Sequence, residues 1–296
     1  MKALKFVLAV PLASQDAPSG SLKRSSRQEK LCGKWPSFWT DDDTALIDLG
    51  AEGIILGVLF SWSCSELLES LPGDAPECRN IDRLANWLIE ECWGAYIVVH
   101  TNCQTGAVQI LVDPSGLLPV YSAETATHRI FASHPELLRR ASGFQLVPSW
   151  PAIHAHLSRP DLRQRATCLA GVSELAPGEL IIAGERQVSG RQKWRPDDFM
   201  PSTRQTSCEE AAEQLREIAT SVIGAWAMRQ GKVAVAASGG VDSSLICAAL
   251  AEAGQPFDCV TLATADPSGD ERAYVRMIGD HLGVNVVGKT YDIRTI

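Results

Sequence analysis

The chain has 296 residues, 45% of them apolar and 21% charged, with a net charge of −8. This is an ordinary globular composition, long enough for about two domains, and it excludes a disordered, collagen-like or repeat chain. The acidic balance argues against non-specific nucleic-acid binding, which needs a basic footprint, and no segment approaches the roughly 18 consecutive apolar residues of a membrane span.

The first residues, MKALKFVLAVPLAS, place two lysines before an apolar run from Phe6 to Ala13. A secretory signal has that outline. Pro11 interrupts the run, however, and Pro11-Leu12-Ala13 is a poor cleavage site, so the reading preferred is a strand, FVLAV, stopped by Pro11. Residues 14–45 are polar and predict a long loop, with Asp41, Asp42 and Asp43 in a solvated turn rather than a metal site. Strand-like runs follow at 45–50, 53–62, 95–100, 108–113 and 129–133. A helix is predicted over 81–91, where Leu84, Trp87, Leu88 and Glu91 share one face, and a second over 135–141. Strands are expected again at 179–184 and 187–194. Many strands and few helices make residues 1–195 one sheet-rich α+β domain.

Residues 196–207 read as a linker. Ser207 and Glu210 then form an S-x-x-E capping box. The helix it opens runs to Gln230, with Ala211, Leu215, Ile218, Val222 and Trp226 as its apolar stripe, and Gly231 ends it. Nine cysteines contain no C-x-x-C; the closest pair is Cys92 and Cys103. That removes the usual zinc and thioredoxin spacings and fits buried, reduced thiols in a cytoplasmic protein.

The chemistry concentrates after Gly231. KVAVAA (232–237) reads as a strand buried on both faces of a parallel sheet. Behind it stand Ser238, Gly239, Gly240, Val241, Asp242, Ser243 and Ser244, then a helix closed by Gly254 and a second strand, FDCVTLAT (257–264). Strand, Gly/Ser loop, helix and strand make a βαβ unit whose loop lies where doubly wound sheets bind ligands. The glycines let amides turn inward, the serine hydroxyls add donors, and the helix N-terminus adds partial positive charge, all suited to an anion. A bare carboxylate repels phosphate, so Asp242 makes sense as a ligand for the Mg²⁺ that accompanies a nucleotide. The loop has no G-K-[ST] and is not a Walker A motif.

The string SGGVDSS resembles the PP-loop of the ATP pyrophosphatase superfamily, whose members split ATP into AMP and pyrophosphate. The order of other landmarks resembles the asparagine synthetase family: WGAYIVV (93–99), VQILVDPSGLLPVY (108–121), FASHPELL (131–138), GVSELAPGEL (171–180), KWRP (193–196), Asp270-Glu271-Arg272-Ala273-Tyr274 and HLGV (281–284). The resemblance implies a two-sheet, amidotransferase (Ntn)-like sandwich over 1–195. An α/β doubly wound ATP-binding domain would then begin at 208. Only residues up to Ile296 are present for that domain, which ordinarily needs about 100–150, so it is expected to be truncated.

The departures shift the expected chemistry. Glutaminase activity in that family needs a cysteine directly after Met1; here residue 2 is Lys2 and the first cysteine is Cys32. The family's N-G-E-I-Y-N stretch is Leu56-Gly57-Val58-Leu59-Phe60-Ser61, apolar where an amide substrate needs polar contacts. Its S-E landmark is Ser133-His134. His134, and the pair His154 and His156, are read as structural or surface histidines. Without an ammonia supply, the nucleophile expected is an amine on the substrate. The branch most resembled is the lasso peptide macrocyclase. It adenylates an Asp or Glu side chain of a precursor peptide, and the peptide's N-terminal amine closes an isopeptide ring. Asparagine synthetase and β-lactam synthetase relatives are the alternatives, with a non-catalytic nucleotide-binding or scaffold protein beyond them.

The resemblance implies that Ser238, Gly239, Gly240, Val241, Ser243 and Ser244 hold the pyrophosphate end of ATP and that Asp242 holds Mg²⁺. It puts Ala236 and Leu262 beside the adenine and makes Asp270 and Glu271 candidates for metal or substrate contact. A peptide or amino-acid-like substrate, a leader-peptide-binding protein and a leader peptidase are the implied partners.

Overall fold

Strand β1 (Phe6–Pro11) is the expected FVLAV strand, and it lies inside a sheet, flanked by β2 (Phe38–Thr40) and β8 (His128–Ala132). The computed structural model describes residues 4–12, 38–41, 44–63, 65–102, 105–162, 164–184, 188–200, 207–263, 266 and 269–290. The chain divides into two units, Lys2–Met200 and Pro201–Ile296, and the molecule is mixed α/β with several sheets.

In the first unit, β7 (Tyr121–Glu124) and β9 (Val172–Glu174) complete an antiparallel five-stranded sheet in the order β2-β1-β8-β7-β9. A second antiparallel sheet contains β3 (Leu46–Asp48), β4 (Gly53–Ser61), β5 (Cys92–Thr101), β6 (Val108–Val112), β10 (Glu179–Ala183) and β11 (Val188–Gln192). Its order is β11-β10-β6-β5-β4-β3. The segment 14–45 is thus not all loop: Phe38–Thr40 pairs with β1. Its Cys32, Asp42 and Asp43 lie outside the described residues, as do Cys64, Cys103 and Lys2.

Helix α1 (Ile81–Glu91) begins at Asn80, whose side chain accepts the amides of Asp82 and Arg83 at 3.1 and 3.2 Å. Its buried face, Ile81, Leu84, Ala85 and Leu88, packs on Ile55, Leu59, Tyr96, Val98 and Leu111 of the second sheet. Helix α2 (Pro135–Ser142) lays Leu137, Leu138 and Ala141 on Val7, Ala9, Ile130 and Ala132 of the first. The opposite faces of both sheets, including Phe6, Leu8, Val10, Leu56, Val58, Ile97 and Val99, are equally buried. Two apolar faces left over in one unit bury each other, giving helix, sheet, sheet and helix layers. Leu88 is fully buried. Its replacement by alanine is expected to cost about 2–5 kcal/mol, read as a lower urea midpoint.

Helix α3 (Trp150–Ser158) lies where the sequence predicts no helix, and none of its residues is buried. The second unit opens with α4 (Cys208–Gln230), where the capping box is formed: Ser207 Oγ accepts the Glu210 amide and Glu210 Oε2 accepts the Ser207 amide, each at 3.1 Å. The expected apolar stripe is not the buried face. Leu215 and Ile218 are 59% and 53% exposed, and the buried residues are Gly224, Ala225 and Ala227. Small residues make the contact here: a Cβ on Gly224 would stand 2.9 Å from that of Ala253.

Strands β12 (Val233–Ala236), β13 (Phe257–Ala263) and β14 (Val286–Thr290) form a parallel sheet in that order. Helices α5 (Val241–Glu252) and α6 (Arg272–Leu282) make the two crossovers. Both crossovers step the same way, so right-handedness puts both helices on one face. Val235, Phe257 and Cys259 are buried there with Cys247, Leu250 and Val275. On the other face Ala234, Ala236, Leu262 and Val287 are exposed among the described residues. The expectation of a strand buried on both faces is therefore corrected: the sheet is parallel, but one face is open.

The cysteine expectation holds for Cys92, Cys247 and Cys259, which are buried and free; Cys168 and Cys208 are exposed. Cys247 and Cys259 stand sulfur to sulfur at 3.7 Å, and burial pushes the Cys247 thiol up to about 12.

Candidate functional site

The loop after β12 is held by its own backbone and hydroxyls. Ser238 Oγ accepts the Gly240 amide at 3.2 Å, and Ser243 Oγ accepts the Ser238 amide at 3.3 Å. Gly240 occupies the N-cap of α5, and no side chain caps the helix. The first-turn amides of Val241, Asp242 and Ser243 are thus not claimed by a capping side chain, the arrangement that suits an anion. The hydroxyls are less uniform than expected. Ser244 Oγ donates to the Gly240 carbonyl at 2.6 Å, turning back along its own helix, and Ser243 Oγ donates to the same oxygen at 3.3 Å.

Gly239 is the residue that shapes the turn. Its φ is +79°, and a Cβ there would lie 2.4 Å from Cβ of Tyr274 and 3.4 Å from its Cα. The loop backbone therefore lies directly on the first turn of α6. Nothing in the sequence marked Tyr274 as a neighbour of the loop, because the contact is made through a missing side chain.

Asp242 lies in the exposed first turn of α5. Among the described residues no cluster of three His, Cys, Asp or Glu side chains stands ready to hold a metal. Ala236 and Leu262 lie on the open face of the sheet: Ala236 pairs with Val260, and Leu262 is two residues further along that strand. Both are exposed, Leu262 at 60%. The structure thus brings the loop, Asp242 and these two strand residues to one end of one sheet.

The acidic pair is divided. Asp270 is taken by Arg272: Nε donates to Oδ1 at 2.8 Å, Nη2 to Oδ2 at 2.6 Å, and the Arg272 amide to Oδ1 at 3.1 Å. These bonds hold its carboxyl down to about 2. Glu271 sits exposed at the N-cap of α6, its carbonyl accepting the Tyr274 amide at 3.0 Å. Because the folded-state value is depressed, the contribution of the Asp270–Arg272 pair to stability is present above about pH 4 and is lost as pH falls toward 2. A carboxyl-carbon NMR titration is expected to find Asp270 still ionised at pH 3, and Arg272→Ala to return it to the ordinary range.

In the first unit, the stretch 56–61 is structural. Leu56, Val58, Leu59 and Phe60 are buried in β4, and Gly57, at φ +106°, brings its Cα so close that a Cβ would lie 2.3 Å from the Ala95 carbonyl oxygen. Ser133 Oγ accepts the Phe6 amide at 3.0 Å and shares a hydrogen with His134 Nδ1 at 2.9 Å, tying β1 to the start of α2. His154 and His156 are both exposed on α3, and His156 lines a cavity of about 410 Å³ with Tyr121, Leu162, Thr167 and Glu174. No described helix is long and apolar enough to cross a membrane.

Residues 215–292 match the model of the asparagine synthase family. That segment holds the loop and the Asp270–Tyr274 turn. The match makes this part of the chain similar to the asparagine synthase family. No curated protein matches the chain. Among solved structures it is similar to the allosteric regulatory enzyme of purine biosynthesis, at 13% identity over 83% of this chain and 62% of that one, with a TM-score of 0.30. It is also similar to the glutamine phosphoribosylpyrophosphate amidotransferase from B. subtilis complexed with ADP and GMP, at 12% identity over 81% of this chain, with a TM-score of 0.30. The chain spans 62% of the length of each. At that TM-score neither likeness bears on function.

Proposed function

We propose that this protein takes part in AMP-forming amide ligation, in which a side-chain carboxylate of a peptide is adenylated by ATP and attacked by an amine of the same substrate. The product is a macrolactam, as in lasso peptide formation. The observation that carries the reading is the Ser238–Ser244 loop at the carboxyl end of a parallel strand, opening a helix, inside the segment that matches the asparagine synthase family.

In this reading the loop amides and the hydroxyls of Ser238 and Ser243 bind the pyrophosphate end of ATP, and Ala236 and Leu262 lie against the base. Asp242 is the residue that would hold Mg²⁺, whose chemistry is to offset charge on the leaving pyrophosphate. The chain's own contribution is orientation and charge complementarity for carboxylate and α-phosphate. A substrate amine, rather than glutamine-derived ammonia, is favoured because the strand 56–61 is filled with core side chains. The implied setting is cytoplasmic, with a leader-peptide-binding protein and a leader peptidase supplying the free peptide amine.

Pyrophosphate release from Mg·ATP tests this. One sample receives a leader-free precursor peptide and the other aspartate with ammonia. Release with the peptide, together with a product lighter by one water, is the expected result. Release only with aspartate and ammonia overturns the substrate-amine reading in favour of asparagine synthesis.

A further inference from the structure

We propose that Asp270 is a positioning residue: through Arg272 it anchors the first turn of α6 to β14, and that turn is the wall on which the Ser238–Ser244 loop is shaped. The inference rests on the reading of this loop as the nucleotide site and gives Asp270 a role other than metal or substrate contact.

Three observations carry it. The carboxylate of Asp270 is bound edge-on by the guanidinium and also by the amide of Arg272, so both its oxygens are occupied. Arg272 reaches across to β14, where Nη1 donates to Thr290 Oγ1 at 3.2 Å. Its aliphatic stem lies over Gly288, where a Cβ would come within 3.1 Å of Cδ. The fork is thus fixed at three places: a carboxylate before the helix, a hydroxyl on the next strand, and a glycine that makes room for the stem. Two residues along, Tyr274 presents its Cβ and Cα to Gly239. If α6 shifts, the wall moves and the left-handed turn at Gly239 loses the surface that holds it. Only a planar bidentate donor can grip a carboxylate edge-on, so lysine is not an equivalent at position 272.

The test uses the full chain, comparing wild type with Asp270→Asn, Arg272→Ala and Arg272→Lys. Two readings are taken. The first is ¹⁵N relaxation of the Gly239 and Gly240 amides; the second is Mg·ATP affinity by calorimetry. In the wild type the two glycine amides are expected to have order parameters near 0.85, falling below about 0.6 in all three variants. Mg·ATP affinity should fall at least tenfold, with Arg272→Lys falling with Arg272→Ala rather than rescuing it. Unchanged glycine amides in Asp270→Asn, with Mg·ATP affinity lost, would overturn the proposal and return Asp270 to direct contact with ligand. Loosening of every amide in the second unit alike would also overturn it, because that is general unfolding. If the wild type binds no Mg·ATP, the nucleotide reading fails, and the glycine amides alone still decide whether the brace exists.

Discussion

Replacing Gly239 by alanine is expected to weaken Mg·ATP binding by about 100-fold or more while leaving the fold intact. Two costs combine. A residue with a Cβ pays about 1–2 kcal/mol to adopt the left-handed backbone seen at φ +79°. The new methyl would also overlap Cβ of Tyr274, only 2.4 Å away, and overpacking of this kind costs about 1–3 kcal/mol. Since each 1.4 kcal/mol is tenfold in affinity, a loop forced out of its turn loses two orders of magnitude or so. The loop is exposed and carries little of the core, so the thermal midpoint should move by only a few degrees. Calorimetric titration alongside a melting curve checks both halves. Unchanged affinity would place the nucleotide elsewhere.

Asp242→Asn is expected to lower pyrophosphate release by about 100- to 1,000-fold, the scale seen when one preorganised electrostatic group is removed from a reacting site. The substitution keeps shape and removes one negative charge from the first turn of α5. At a helix N-terminus that loss slightly weakens the helix, an effect far smaller than the catalytic one. The distinguishing reading is the metal dependence. If Asp242 holds the ion, the Mg²⁺ concentration for half-maximal rate rises steeply in the variant; a variant slow at every Mg²⁺ concentration with an unshifted midpoint would assign Asp242 another role.

The elements that were legible in the sequence are those whose signal is local. Helix α1 has its apolar period, α4 has a reciprocal cap in Ser207 and Glu210, and the β12-loop-α5 unit is spelled out in consecutive residues. What escaped depended on partners far along the chain. The three-residue strands β2 and β9 are too short to show alternation and exist because β1 and β7 pair with them. Helix α3 has no buried face, so no periodicity announced it. The Leu215 and Ile218 stripe misled for a related reason: helical spacing marks a face but not what covers it, and Gly224, Ala225 and Ala227 were the residues small enough for close approach. At the site, the loop was read from its own residues. The capture of Asp270 by Arg272, and the packing of Gly239 on Tyr274, are properties of side-chain reach and backbone proximity that spacing does not encode.

The place of β1 has a consequence for how the molecule is made. β1 pairs with β8 from Val7↔Ala132 to Pro11↔His128, strands separated by most of the first unit. A strand of this apolarity leaves the ribosome long before its main partner. At about 5–20 residues per second it waits several seconds with its backbone edge unpaired, and such distant pairing is slow to form. β2 covers only one side of it, over three residues. Early nascent chains should therefore depend on a holdase, and a fragment ending before β8 should collect in the insoluble fraction even though β1 itself is intact.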